Sequence, residues 1–140
     1  MVYKPKNFRL EELVPPGIFK ARGERAWEML DARALFTLQT LRDKFGPFIV
    51  NNWHVGGLFK ESGLRSLETK TGAKLSQHRF GRAIDAKHGT LSASEILRYI
   101  QEHREDFPYL TTVENPAMTP GWFHFDVRNH FQPGIWIVNP

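Results

Sequence analysis

The chain has 140 residues, 41% of them hydrophobic and 13% aromatic, with no low-complexity stretch; this excludes a disordered or collagen-like chain and leaves one globular domain (1–140) able to bury its own core. It contains no cysteine, so thiolate catalysis and cysteine-ligated zinc are excluded, and any metal must be held by His, Asp or Glu. The formal charge of +4 is scattered, without a dense Lys/Arg block or a helix-turn-helix, RNA-recognition or zinc-finger pattern, so nucleic acid is not the expected partner.

In chain order, residues 7–23 carry short helical turns interrupted by Pro15, Pro16 and Gly17, and residues 1–23 read as an N-terminal strap over the domain. Trp27, Leu30, Ala34, Leu38, Leu41 and Phe45 recur at steps of three and four, predicting one amphipathic helix over 24–45 that Gly46 and Pro47 end. Residues 48–51 (FIVN) form a short β-branched run, a predicted strand that opens the core region 48–128. A glycine-rich loop follows, through His54, Gly56, Gly57 and Gly63 to about Leu75. Residues 83–86 predict a second strand, and Ser92 and Glu95 stand in capping-box register before a helix carrying Ile96, Leu97, Ile100 and Phe107. Residues 110–114 and 122–127 predict an antiparallel hairpin closed by 115–121, and 135–138 an edge strand. The order predicts an α+β fold, a small mixed or antiparallel sheet with helices packed on one face. No run of roughly 18 apolar residues is present, so membrane insertion is not expected. The N-terminal stretch turns polar too early for a signal peptide, so synthesis in the cytoplasm without an export signal is expected, as a monomer.

Side chains alternate along a strand, so Gly81, Ala83 and Asp85 share one face while Ile84 and Ala86 face the core. The same parity sends Phe123, Phe125 and Val127 to the core, and Trp122, His124 and Asp126 to the other side. With His78 seven residues before Asp85, two imidazoles and a carboxylate make the three-ligand set with an open position that catalytic zinc uses. On spacing alone the alternative stands: surface or hydrogen-bonded histidines with no metal.

The stretch 76–85 reads Ser-x-His-x-x-Gly-x-Ala-x-Asp. Together with Trp122-Phe123-His124 it resembles the zinc D-alanyl-D-alanine carboxypeptidase and murein peptidase family, whose fold is shared with the hedgehog signalling domain. Ser62-Gly63-Leu64-Arg65-Ser66 is similar to that family's Ser-Gly-Tyr-Arg-Ser signature, with Leu64 in place of the aromatic residue. The resemblance implies zinc on His78, Asp85 and His124, and a peptidoglycan stem peptide as substrate, cut by a carboxypeptidase or an endopeptidase. It also implies that Arg65 stabilises the developing oxyanion, against the alternative of an ordinary loop charge. Many relatives carry a carboxylate three residues before the last His, where this chain has Gly121. Glu114, expected opposite about Trp122 and some 7 Å along the strand from His124, is then the favoured general base, and Asp126 the residue that orients an imidazole. His54, in the glycine-rich loop, stands where it would line the cleft, while His88, His103 and His130 read as structural or surface histidines. The likeness is greatest to phage and prophage versions of the domain, acting at the cell wall during release or within the virion. The alternative is a catalytically silent zinc-binding or wall-binding module.

Overall fold

Five strands, β1 (Phe48–Ile49), β2 (Ala83–His88), β3 (Thr112–Glu114), β4 (Phe123–Asp126) and β5 (Trp136–Val138), form one mixed sheet in the computed structural model, which describes residues 2–140. The order is β1-β2-β4-β3-β5; β5 runs parallel to β3 and every other neighbouring pair is antiparallel. The α+β expectation holds.

Strand parity sorts the two faces. Ile84, Ala86, Val113, Phe123, Phe125 and Val127 join one apolar core with Leu35, Leu38 and Leu41 of α2 (Ala32–Phe45) and Ile96, Leu97 and Ile100 of α3 (Ala93–Glu102). The other face carries Asp85, His124, Asp126, Thr112 and Glu114, and the β3–β5 register adds Trp136 and Val138 beside them. This face is partly covered, with His124 only 4% and Asp126 0% exposed, and what is left open is a cleft lined by Asp85, Glu114 and His124. The covering comes from segments that bond to the sheet and to each other: Asp85 N donates to Ser62 O at 2.7 Å, and Arg65 N to His78 O at 3.0 Å.

Four local expectations are corrected. The helix predicted over 24–45 is broken: residues Gly23–Met29 make a 3-10 turn, Leu30 is extended, and Asp31 caps α2 by accepting from Arg33 N at 2.9 Å. Aspartate competes with helix-interior hydrogen bonds and satisfies N-terminal ones, so it divides an otherwise periodic run. The prolines do not interrupt the strap: Pro16 opens α1 (Pro16–Arg22) at its first position, where a missing N–H costs nothing. Leu10, Leu13 and Val14 lie in the core, and the strap is stitched to it where Asn51 N donates to Glu12 O and Leu64 N to Leu13 O. The hairpin register also differs. Pairing of Thr112 with Asp126 and Val113 with Phe125 brings Glu114 opposite His124 instead of Trp122. Two tight turns, closed by Met118 N to Asn115 O and Trp122 N to Thr119 O, take Trp122 into the connection, so β4 begins at Phe123. The Ser92/Glu95 capping box forms as expected, but the helix ends at Glu102, so Phe107 reaches the core from beyond a separate 3-10 turn (Arg104–Asp106). Among the described residues no helix is long and apolar enough to cross a membrane.

Candidate metal centre

His78 sits in the 3-10 turn Gln77–Phe80, which Ser76 caps by accepting from His78 N and which Gly81 ends in the left-handed conformation, φ +68°. Its Nδ1 lies 2.8 Å from Gly63 O; a carbonyl only accepts, so Nδ1 carries the proton and Nε2 is left for a metal. Asp85, on β2, pairs directly across the sheet with His124 on β4. Asp85 Oδ1 is 3.3 Å from His78 Nε2 and 2.8 Å from His124 Nδ1, and the two rings lie 5.1 Å apart, edge to face. His124 Nε2 faces Asp126 Oδ2 at 3.2 Å, and Asp126 is gripped in turn by the Arg128 guanidinium, Nε to Oδ1 at 2.8 Å. Glu114 Oε1 stands 3.6 Å from His124 Nδ1.

The charges follow from these contacts. Burial alone would raise the Asp85 carboxyl, but hydrogen bonds from His124 and His78 outweigh it and hold Asp85 well below the usual carboxylate range. Burial opposes a charged His124, yet Asp126 and Asp85 on its two nitrogens, with Glu114 nearby, push it up to about 9. Asp126 is likewise held low, because His124 and Arg128 outweigh its burial.

His78, Asp85 and His124 each offer one donor atom, all within 4.8 Å of one another, and this buried group could hold a metal ion. Ligand bonds of about 2.0–2.1 Å in a tetrahedron place donors about 3.3 Å apart. The His78–Asp85 separation of 3.3 Å already meets that spacing, and the shorter 2.8 Å to His124 is a hydrogen bond that a metal would replace. Two imidazoles and an ionised carboxylate, with a second carboxylate on the far nitrogen of His124, are a donor set that fits a divalent transition-metal ion.

The cluster forms the floor of an open cleft of about 760 Å³, walled by Arg65, Gln77, Glu114, Trp122, Arg128 and Trp136 among others. Of the residues singled out in the sequence, His78, Asp85, His124, Glu114 and Asp126 come into one contact network, and Arg65 lines the same cleft. Gly121 does not line it, lying in the turn beside Pro120 with open space around it, whereas Glu114 does. His54 is absent from the cleft wall. His88 bonds Phe45 O, His130 bonds Thr111 O, and His103 stacks on Tyr99 at 4.0 Å, as structural histidines do. Sequence reading missed Arg128, which period-two parity from Asp126 could have flagged, and Lys87, which donates to Ser62 Oγ at 2.6 Å and Val50 O at 3.0 Å and so ties down the loop holding His78. No local signal announces Gly63 O as the acceptor for His78. Comparison of the chain with protein-family models, with curated proteins and with solved structures finds no match.

Proposed function

We propose that the protein is a zinc metallopeptidase that hydrolyses peptidoglycan stem peptides, as a D,D-carboxypeptidase or an endopeptidase of the endolysin type with a hedgehog-like fold. The observation that carries the reading is the conjunction of the His78, Asp85 and His124 donor cluster with an unligated carboxylate, Glu114, on the same cleft at 3.6 Å from His124. The motif resemblance supplies both the substrate class and the choice of zinc, and the two imidazoles and one carboxylate are a donor set that zinc uses in catalytic sites.

His78 Nε2, an Asp85 carboxylate oxygen and His124 Nδ1 would hold the zinc, which would supply Lewis acidity and lower the pKa of water to about 7. Glu114 then accepts the proton of the attacking water and passes it to the leaving amine. Arg65 donates to the carbonyl oxygen as negative charge develops there. Asp126, anchored by Arg128, keeps the Nε2–H of His124 pointing away from the metal and the Nδ1 lone pair toward it.

The test is incubation of the zinc-loaded protein with purified muropeptides, followed by mass spectrometry. New peptide termini that vanish on chelation are the expected result. A second reading, a catalytically silent wall-binding module or virion component, is favoured by Gly121, which leaves the relatives' carboxylate position empty. A zinc-replete protein that cuts no muropeptide would establish that reading in place of the first.

A further inference from the structure

The Arg128 guanidinium is used along one edge only. Nε donates to Asp126 Oδ1 at 2.8 Å and Nη2 donates to Asp126 Oδ2, so the fork on that edge is filled by a carboxylate that is itself fully buried. A guanidinium carries five N–H donors, and Nη1 and Nη2 form a second fork at its outer end. Among the described residues nothing accepts a hydrogen bond from Nη1, and no carboxylate other than Asp126 lies within ion-pair distance of the group. Nor is Nη1 sealed: the buried side-chain atoms that lack a partner are His54 Nδ1, Arg65 Nε and Gln77 Oε1, so Nη1 of Arg128 is open to solvent.

The free end belongs to the cleft that holds the donor cluster. Arg128 lines its wall with the side chain 27% exposed, and the filled edge is turned to the floor, where Asp126 meets His124 Nε2 at 3.2 Å. One flat face packs over the Trp136 ring, 5.8 Å from its centre, and Trp136 lines the same wall. Backbone contacts fix the stem: Arg128 N donates to Asp126 Oδ1 at 3.1 Å, and Arg128 O accepts from Thr111 Oγ1. With an edge, a face and the backbone already held, little rotamer freedom is left to lose when the outer fork takes a ligand. Asp126 lies two residues, about 7 Å, along β4 from His124, so a group on this fork is within about two extended peptide residues of the cluster.

We infer that the outer fork of Arg128 is a subsite for a carboxylate of the peptide substrate, Nη1 and Nη2 donating in parallel to its two oxygens. A planar carboxylate matches the spacing of the fork, and a charge-assisted pair is roughly twice as strong as a neutral hydrogen bond; a carboxamide offers one oxygen and no charge. The assignment rests on the peptidase reading and gives Arg128 a task beyond holding Asp126. Stem peptides present this chemistry in two places, the free C-terminus and the α-carboxylate of a γ-linked D-glutamate.

Binding to the chelated, metal-free protein, read by titration calorimetry, separates recognition from hydrolysis. The probes are the pentapeptide N-acetyl-L-alanyl-γ-D-glutamyl-L-lysyl-D-alanyl-D-alanine and two analogues, one amidated at the C-terminus and one at the glutamate α-carboxyl. Wild-type protein should bind at least one analogue about 10-fold or more weakly than the parent, the range of a hydrogen bond to a charged group, and the analogue that loses affinity tells which carboxylate is bound. Arg128→Gln should bind the parent as weakly as that analogue and lose nothing further on amidation. Arg128→Lys, which keeps the charge without the fork, should recover only part of the preference. A residue that only holds Asp126 would weaken all three peptides alike. No wild-type binding, equal wild-type affinity for the three peptides, the full preference kept in Arg128→Gln, or a uniform loss in that variant would each overturn the subsite; the wild-type comparison stands even should both variants fail to fold. A carboxylate preference in a protein that, loaded with zinc, cuts no muropeptide would leave the subsite and remove the peptidase, and hydrolysis without the preference would do the reverse.

Discussion

At His124 three carboxylates surround one imidazole: Asp85 and Asp126 on its two nitrogens and Glu114 at 3.6 Å. With its pKa pushed up to about 9, His124 is protonated at neutral pH in the metal-free protein, so a metal must displace a proton from Nδ1. Zinc binding at pH 7.5 should therefore release about one proton from His124, and apparent affinity should climb roughly tenfold per pH unit from 7 to 9 before levelling. Calorimetry in buffers of different ionisation enthalpy reads the proton directly; a heat that does not depend on the buffer contradicts the assignment. The two acids beside His124 are separable by substitution. Glu114→Gln keeps the shape and removes the proton acceptor, so zinc stays bound while muropeptide hydrolysis falls about 100-fold or more. Asp126→Asn removes the charge that orients Nε2–H and leaves Arg128 without its ion pair, so zinc affinity falls about 10- to 100-fold and activity follows metal occupancy. Normal turnover in Glu114→Gln, together with a dead but zinc-replete Asp126→Asn, would exchange the two roles.

The turn that delivers His78 depends on a neighbouring element. Gly81 ends this turn at φ +68°, and its backbone rests on the extended residues between the 3-10 turn Gly23–Met29 and α2, with Asp31 N donating to Gly81 O at 3.0 Å. A Cβ at Gly81 would strike the Met29 carbonyl oxygen, which belongs to backbone and has no rotamer to give way. The break before Asp31 is thus the seat for the turn that carries His78. Gly81→Ala combines a left-handed conformation with this collision and should cost about 2–4 kcal/mol of stability while loosening zinc binding, measured by denaturant unfolding and metal competition. Wild-type unfolding and affinity in the Gly81→Ala variant would show that the turn does not need this seat. Among strands, the register is decisive: Asp85 opposite His124 and Glu114 opposite the same residue put these three side chains in one row across β2, β4 and β3. A slip of one residue would send all of them into the apolar core.

At the scale of the molecule, the donor atoms come from residues 78, 85 and 124, on a loop turn and two sheet strands, so the set exists only when the sheet is formed and the loop is docked on it. A metal that binds only this state adds its binding energy to folding. At free zinc about 100 times Kd the gain is about 2.7 kcal/mol, a rise in Tm of the order of 8–10 °C for a chain this long. His78→Ala should abolish the rise by removing one donor without touching the apolar core. A rise that survives in that variant would place the metal elsewhere. The buried strap belongs to the same cooperative unit, since Leu13 supplies both a core side chain and the carbonyl that Leu64 N bonds.

Much of the site was legible in the local pattern. Alternation in 83–86 and 122–127 assigns Asp85 and His124 to the face away from the core, because a strand's side chains have a period of two whatever its neighbours are. The Ser92/Glu95 capping box is similarly local, its partners lying three residues apart. What no local pattern specifies is pairing between remote segments. The apolar positions of 24–45 fit one helix or a 3-10 turn followed by α2; Asp31 and its bond to Gly81 O chose the second. The turns within 115–122 set which residue Glu114 meets, and only the folded connection shows that it is His124. Gly63 O, Lys87 and Arg128 act on His78, the loop and Asp126 through contacts set by sheet register and loop docking. The sequence by itself therefore determined which faces and which ligand types are present, through short-range periodicity. The tertiary structure decided which of them meet, because contacts between remote segments depend on the packing of the whole chain.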